Sequence, residues 1–231
     1  MSLSKGVESG THLFPSQIIR ECTSEEHEIC TLSGPSHAEE VSLGIPTAVV
    51  VASPNMTLNR KVQEIVSSNT FRAYSNSDII GVEIAGAVKN IISVASGMCS
   101  GLGFGDNTTA ALVTRGLNEI VRLSRKLGGE ESTFYGLAGI GDLCVTAFSK
   151  HSRNRQFGIE VGKGSPPKDV IKDMNMVVEG YYTVESLYNM MIDVDVDMPI
   201  SKSVYQILYE GLSPKQAILD LMSRDLTHEN N

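Results

Sequence analysis

The chain has 231 residues, 41% of them hydrophobic and 20% charged, with a formal net charge of -8 and a pI near 5.1. That length and balance suit a folded chain with a real core and exclude extended disorder, except at the polar tail Thr227-His228-Glu229-Asn230-Asn231, which is expected to fray. The acidic total excludes a broad basic face for nucleic acid, so an anionic ligand would have to be held by a few placed Arg and Lys residues against the overall field.

The start, Met1-Ser2-Leu3-Ser4-Lys5-Gly6, has no apolar signal-peptide core. Leu13 to Cys22 reads as a short amphipathic helix with Ile18 and Ile19 inward, and Glu28 to Leu32 as a short apolar strand. Gly34-Pro35-Ser36-His37-Ala38 then forms a turn opening a helix, either a plain turn or one presenting N–H groups to a ligand. Pro46 to Ala52 is apolar and β-branched, like a strand buried on both faces. Leu58, Val62 and Val66 make a helical stripe, and Phe71 to Ser75 is another strand. Strands alternating with helices imply an α/β sheet.

From about Ser77 the pattern becomes helical. Ser77 and Asp78 can cap a long helix through Ala85, Val88, Ile92 and Ala95, and a second runs from Thr108 to Leu127, stopped by Gly128-Gly129. Shorter helices follow near 138–147, 152–162, 167–174, 180–192, 200–210 and 214–223, with Pro166, Pro199 and Pro214 near their starts. The fold class is therefore an α/β remnant over residues 1–76 followed by an all-α domain over 77–231. The longest aliphatic run, Ala48 to Ala52, is far shorter than the roughly 20 residues that span a bilayer, so no membrane insertion and a cytoplasmic location are expected.

Four cysteines, Cys22, Cys30, Cys99 and Cys144, match no zinc or redox spacing and read as free thiols. Gly101-Leu102-Gly103-Phe104-Gly105 follows a helix rather than a strand, so it lacks the context of a dinucleotide fingerprint. Asp193-Val194-Asp195-Val196-Asp197 has Met198 where a calcium loop needs glycine and Val204 where it needs an acid, so no metal is assigned.

Two constellations can carry chemistry. In Glu83-Ile84-Ala85-Gly86-Ala87-Val88-Lys89-Asn90-Ile91-Ile92 a lysine sits within an apolar, small-residue helix. Burial lowers a lysine pKa toward neutrality and suits acid/base work, unless the side chain snorkels to water. In the second, Gly139-Ile140-Gly141-Asp142-Leu143 is followed by Ser152-Arg153-Asn154-Arg155, where two arginines at a helix start make a phosphate-type site or an ordinary solvated helix end. Asp142 is placed to orient the lysine or to hold a substrate hydroxyl.

Six stretches, taken in order, carry a resemblance: Ser4-Lys5-Gly6-Val7-Glu8, Leu32-Ser33-Gly34-Pro35-Ser36, Gly81 to Asn90, Gly136-Leu137-Ala138-Gly139-Ile140-Gly141-Asp142-Leu143, Ser152-Arg153-Asn154-Arg155 and Val178-Glu179-Gly180. The chain resembles the glycerol-3-phosphate dehydrogenases, most closely the bacterial and plastid type. The resemblance implies reversible reduction of dihydroxyacetone phosphate to sn-glycerol 3-phosphate, a supply reaction for glycerophospholipids, with NAD or NADP as cofactor, a small phosphorylated substrate and a homodimer. It implies that Lys89 is the catalytic proton donor and acceptor, and that Lys5, Gly34, Ser36, Lys89, Asp142, Ser152, Arg153 and Asn154 bind substrate. Lys5, Ala38, Arg153, Val177 and Glu179 would touch the cofactor.

One departure stands out. The family opens with a βαβ unit carrying a glycine-rich pyrophosphate loop, whereas these residues begin at the strand ending in Lys5, so this stretch by itself is expected to be inactive. Two other readings remain open: a β-hydroxyacid dehydrogenase with a similar lysine–asparagine helix, against which the Ser-Arg-Asn-Arg cluster argues, and a non-catalytic phosphate-ligand or dimerisation module, which the missing loop favours.

Overall fold

The computed structural model describes every residue except Glu25, Asn175, Thr227, Asn230 and Asn231, so most of the tail expected to fray lies outside the described residues. Helix α1 (Pro15–Cys22) leads to strand β1 (Thr31–Ser33), helix α2 (Ala38–Ser42), strand β2 (Thr47–Ala52), helix α3 (Met56–Val66) and strand β3 (Phe71–Asn76). The rest is helical: α4 (Ile79–Gly101), α5 (Asp106–Leu127), a 3-10 turn (Glu131–Tyr135), a π turn (Leu137–Gly141), α6 (Asp142–Phe148), α7 (Arg153–Gly162), α8 (Pro167–Asp173), α9 (Glu179–Asp193), α10 (Pro199–Tyr209) and α11 (Pro214–Met222). An α/β piece precedes a helical one, as the pattern implied.

The sheet is small and mixed, in the order β1-β2-β3. Strand β2 is its spine because its two faces meet different layers. Val49 and Val51 pack with Val62 of α3, while Val50 and Ala52 pack with Val82 of α4 and Ala138 of the π turn. β3 runs parallel to β2, with Val49 opposite Ala73. β1 is antiparallel to β2, with Leu32 opposite Val51, and begins at Thr31 rather than at Glu28. The first residues do not form a full strand ending at Lys5: only Ser2 bridges to Thr31. Ser2 N donates to Cys30 O at 2.8 Å and Leu32 N donates to Ser2 O at 2.9 Å, which covers part of the outer edge of β1.

Helix α4 is the axis of the molecule. Every residue from Gly81 to Cys99 is buried, because sheet and helices surround it. By length and composition α4 is long and apolar enough to cross a membrane, a feature that a search for aliphatic runs alone overlooks. In this fold 89% of its apolar window is buried inside the protein. Asp78 caps it, accepting from Gly81 N at 2.8 Å, and its other oxygen accepts from Glu130 N and Thr133 Oγ1.

α4 and α7 cross with their backbones in contact. A methyl at Gly97 would stand 2.1 Å from the Arg155 carbonyl oxygen, and one at Gly158 would stand 2.1 Å from that of Val94. Gly101 and Gly162, one turn further along, are equally closed, at 2.3 Å from Ile159 O and 2.4 Å from Met98 O. Only glycine permits this approach.

Two buried glutamates pin other helices to this core. Glu83 of α4 accepts from Ser16 N and Ser16 Oγ at the start of α1. Glu119 of α5 accepts from Ile200 N at 2.6 Å and from Ser201 N and Oγ at 3.0 and 2.8 Å at the start of α10. Burial pushes the Glu119 pKa up from 4.5 to about 7, against the pull of those bonds and of Arg122. Glu119→Ala is expected to cost roughly 2–4 kcal/mol in denaturant unfolding, since three buried donors lose their acceptor. The raised pKa means that the folded state holds this proton more tightly than the unfolded chain. The side chain's contribution is therefore largest below about pH 4.5 and declines toward pH 7, and the gap between wild type and variant narrows over that window.

Candidate active site

Where α4 meets α6 and the chain's first residues, one carboxylate lies between two lysines. Lys5 Nζ donates to Asp142 Oδ2 at 2.7 Å, and Lys89 Nζ lies 3.0 Å from Asp142 Oδ1. Lys89 also donates to Thr146 Oγ1 at 2.7 Å, and Thr146 Oγ1 donates to the Asp142 carbonyl at 2.6 Å. Asp142 opens α6 directly after the π turn, where Gly139 sits so close to Phe134 that a methyl would lie 2.2 Å from its carbonyl oxygen. Lys5 lies against α4 at Gly86, where a methyl would stand 3.4 Å from Lys5 Cγ and 3.3 Å from Ser33 Oγ.

Lys89 is buried and Lys5 is partly open to solvent. Burial is the main force that pulls the Lys89 pKa from 10.5 down to about 8, and the charge of Lys5 acts in the same direction. Asp142 and Glu179 oppose the shift without cancelling it. An ammonium poised near neutrality can hold a proton or give it up at working pH.

The α4–α7 crossing brings the second constellation to the first. Ser152 caps α7, accepting from Arg155 N, and its hydroxyl lies 3.0 Å from that of Ser93, which donates to Thr146 O. Asn154 Nδ2 donates to Asn90 Oδ1 at 3.0 Å. Arg153 is half-buried and makes no hydrogen bond or ion pair among the described residues, whereas Arg155 donates to Ser100 Oγ.

The turn after β1 adds the remaining wall. Gly34 has a φ of 139° and lies against Val49, where a methyl would be 3.0 Å from Cα, so this position requires glycine. Ser36 Oγ donates to Gly34 O, and Ala38 stands exposed two residues further on. Ser33 Oγ and His37 Nε2, on either side of Gly34, are buried without a hydrogen-bond partner among the described residues. A cleft of about 290 Å³ is lined by Lys5, Gly6, Val177, Glu179, Tyr182 and Thr183. In that cleft Lys5, Glu179 and Thr183 stand with Val177 and Tyr182, a lining that fits a ligand with both polar and flat apolar parts, as a nicotinamide riboside has.

Lys5, Lys89, Asp142, Ser152 and Asn154 are thus gathered at α4, and Val177 and Glu179 border the adjoining cleft. Thr146 escaped the sequence reading although it holds Lys89 directly. Its signal was a polar residue four places after Asp142 on one face of a helix.

A lysine–carboxylate pair buried between a sheet and a helical bundle, its ammonium loosened toward neutrality, suits proton transfer of the kind a dehydrogenase needs. The family description "NAD-dependent glycerol-3-phosphate dehydrogenase C-terminus" matches residues 78–219, and its amino-terminal counterpart matches residues 1–59. The chain belongs to the NAD-dependent glycerol-3-phosphate dehydrogenase family. It is 50% identical over 236 residues to the glycerol-3-phosphate dehydrogenase [NAD(P)+] of Pelodictyon phaeoclathratiforme, covering 100% of this chain and 70% of that protein. The enzyme of the same name from Carboxydothermus hydrogenoformans is 49% identical, covering 100% of this chain and 69% of that protein. The crystal structure of glycerol-3-phosphate dehydrogenase from Coxiella burnetii superposes with a TM-score of 0.91 at 38% identity, over 96% of this chain and 68% of that one.

Proposed function

We propose that these residues carry the substrate site and acid/base group for reversible reduction of dihydroxyacetone phosphate to sn-glycerol 3-phosphate. The observation that carries this reading is the Lys5–Asp142–Lys89 cluster, together with Ser152 and Asn154, the residues flanking Arg153, hydrogen-bonded to Ser93 and Asn90 of the same helix that carries Lys89. Arg153 grips the phosphate through its planar fork, with Asn154 and Ser152 beside it. Lys89 stands at the C2 oxygen, holds a proton there and releases it as that oxygen takes up charge. Asp142 orients Lys89, and Lys5 lies against both substrate and cofactor. Gly34 and Ser36 complete the wall. The nicotinamide cofactor, when bound, supplies the hydride. Lys5, Ala38, Arg153, Val177 and Glu179 would hold it at the nicotinamide end. Residues 1–76 act as the closing part of the dinucleotide-binding domain and 77–231 as the substrate domain. A homodimer in the cytoplasm belongs to the same reading.

Three outcomes follow. With the Lys89 pKa near 8, reduction needs the ammonium and oxidation needs the amine. In active full-length enzyme, kcat/KM for reduction is expected to fall as pH rises through about 8, and that for oxidation to fall as pH drops through it. Lys89→Met should remove that inflection and lower turnover by about 100- to 10,000-fold; near-normal turnover would exclude Lys89 as the acid/base group.

Arg153→Lys keeps the charge but loses the fork. An increase in substrate KM of about tenfold is expected, the size of one charge-assisted hydrogen bond. Substrates lacking phosphate should be poor for wild type and indifferent to the change. An unaltered KM for the phosphorylated substrate removes the assignment.

The chain spans 70% of the Pelodictyon protein. We infer that the pyrophosphate cradle lies in the part of the relatives beyond the match. A polypeptide of these 231 residues alone is then expected to fold but not to oxidise NADH or NADPH. The same residues joined to a relative's glycine-rich segment should turn over, and tight cofactor binding by the shorter polypeptide would overturn the inference.

A further inference from the structure

Behind the proposed site, three hydrogen bonds form a closed circuit. Asn90 Nδ2 donates to Glu179 Oε2 at 2.6 Å, Asn154 Nδ2 donates to Asn90 Oδ1 at 3.0 Å, and Gly180 N donates to Asn154 Oδ1 at 2.8 Å. Glu179 and Gly180 are neighbours, so the circuit returns to α9 after passing through α4 and α7. Its sense is fixed at both ends. A carboxylate can only accept and a backbone N–H can only donate, so neither amide can be turned round without losing its bonds. Asn90 is 1% exposed and Asn154 8%, so a lost bond would leave buried groups unpaired. Gly180 keeps the ring tight, since a methyl there would lie 2.7 Å from the Asn90 carbonyl oxygen.

Each residue of the ring is tied through the chain or the cleft to a different part of the site. Asn90 follows Lys89, Asn154 follows Arg153, and Glu179 borders the cleft beside Lys5. Asn90 spends its oxygen on Asn154 and its amino group on Glu179 and, at 3.4 Å, on the Gly86 carbonyl. Both of its amino hydrogens are thereby engaged within the protein, so it has no donor left for a ligand.

We propose that Asn90 is a positioning residue that locks Glu179 on the cofactor side and Asn154 on the phosphate side into one arrangement, so that the two binding sites are set together. This rests on the function proposed above. Under it, loosening the ring anywhere should weaken the grip on both ligands at once, rather than on the nearer one alone.

The test uses active full-length enzyme, with KM values for dihydroxyacetone phosphate and for the reduced cofactor measured separately and thermal unfolding followed in parallel. Failure of the wild type to reduce dihydroxyacetone phosphate would sink the functional reading, independently of the ring. Given an active wild type, Asn90→Asp removes the donor and sets a second carboxylate against Glu179. Both KM values are expected to rise by about tenfold or more, the equivalent of one buried hydrogen bond. The double variant Asn90→Asp with Glu179→Gln restores a donor at 179 and an acceptor at 90. Its substrate KM should return to near that of Glu179→Gln alone. An unaffected Asn90→Asp enzyme, or a double variant no better than Asn90→Asp, overturns the proposal. Should Asn90→Asp fail to fold, Glu179→Ala decides the matter, because that side chain is only half-buried. At saturating cofactor its substrate KM should still rise, whereas a residue that merely touched cofactor would alter the cofactor KM alone.

Discussion

Two helices touching backbone to backbone determine where everything else in this molecule can go. α4 and α7 meet at Gly97, Gly101, Gly158 and Gly162, and a methyl at any of the four would drive into the opposite chain. The crossing leaves the amino-terminal end of α7 beside the stretch of α4 that carries Lys89, Asn90 and Ser93. Ser152 then bonds Ser93, and Asn154 bonds Asn90. The separation between Lys89 and the residues that open α7 is therefore a property of helix packing, which is stiff, and not of a loop.

Upon that frame sits an electrostatic arrangement with an unequal division of charge. One buried carboxylate serves two lysines, of which one is buried and one is partly open to solvent. The buried member bears the cost of desolvation and the repulsion of its neighbour, so it is the one whose proton is loosened. Asp142 limits the shift: without it the ammonium would be driven further toward the neutral form, and with a second carboxylate in contact it would be held charged. Thr146 fixes the geometry by occupying one of the ammonium's three donors.

Buried acids recur where no chemistry is proposed, there closed off by backbone and hydroxyl donors rather than by lysines. Asp78, Glu83 and Glu119 each tie the first turn of a helix to the core. A helix start offers N–H groups without partners, and these carboxylates satisfy one of them at α1 and α4 and two at α10. These acids hold α1, α4 and α10 in place around the site, which lets the site residues themselves be chosen for reactivity.

Much of this was legible in the residue order. Helix starts were marked by Asp78, Ser152, Pro199 and Pro214, and the burial of β2 on both faces by its unbroken valine run, because capping and periodicity are local. The candidate residues came from motifs read in order, and of them the structure gathers Lys5, Lys89, Asp142, Ser152 and Asn154 around α4. Residues that act across the fold left no comparable trace. The ladder of four glycines, the caps from Glu83 and Glu119, and the hold of Thr146 on Lys89 each join segments tens of residues apart, as with the 57 positions between Lys89 and Thr146. The sheet expected from alternating strands became a mixed one, with Ser2 on its edge, because pairing direction depends on how the connections pack and not on the strands' own composition. Local sequence determined which segments become helix or strand and which residues carry reactive groups. Tertiary packing alone decided that two lysines and a carboxylate from three segments would form one cluster, because only burial and close approach change what those groups can do.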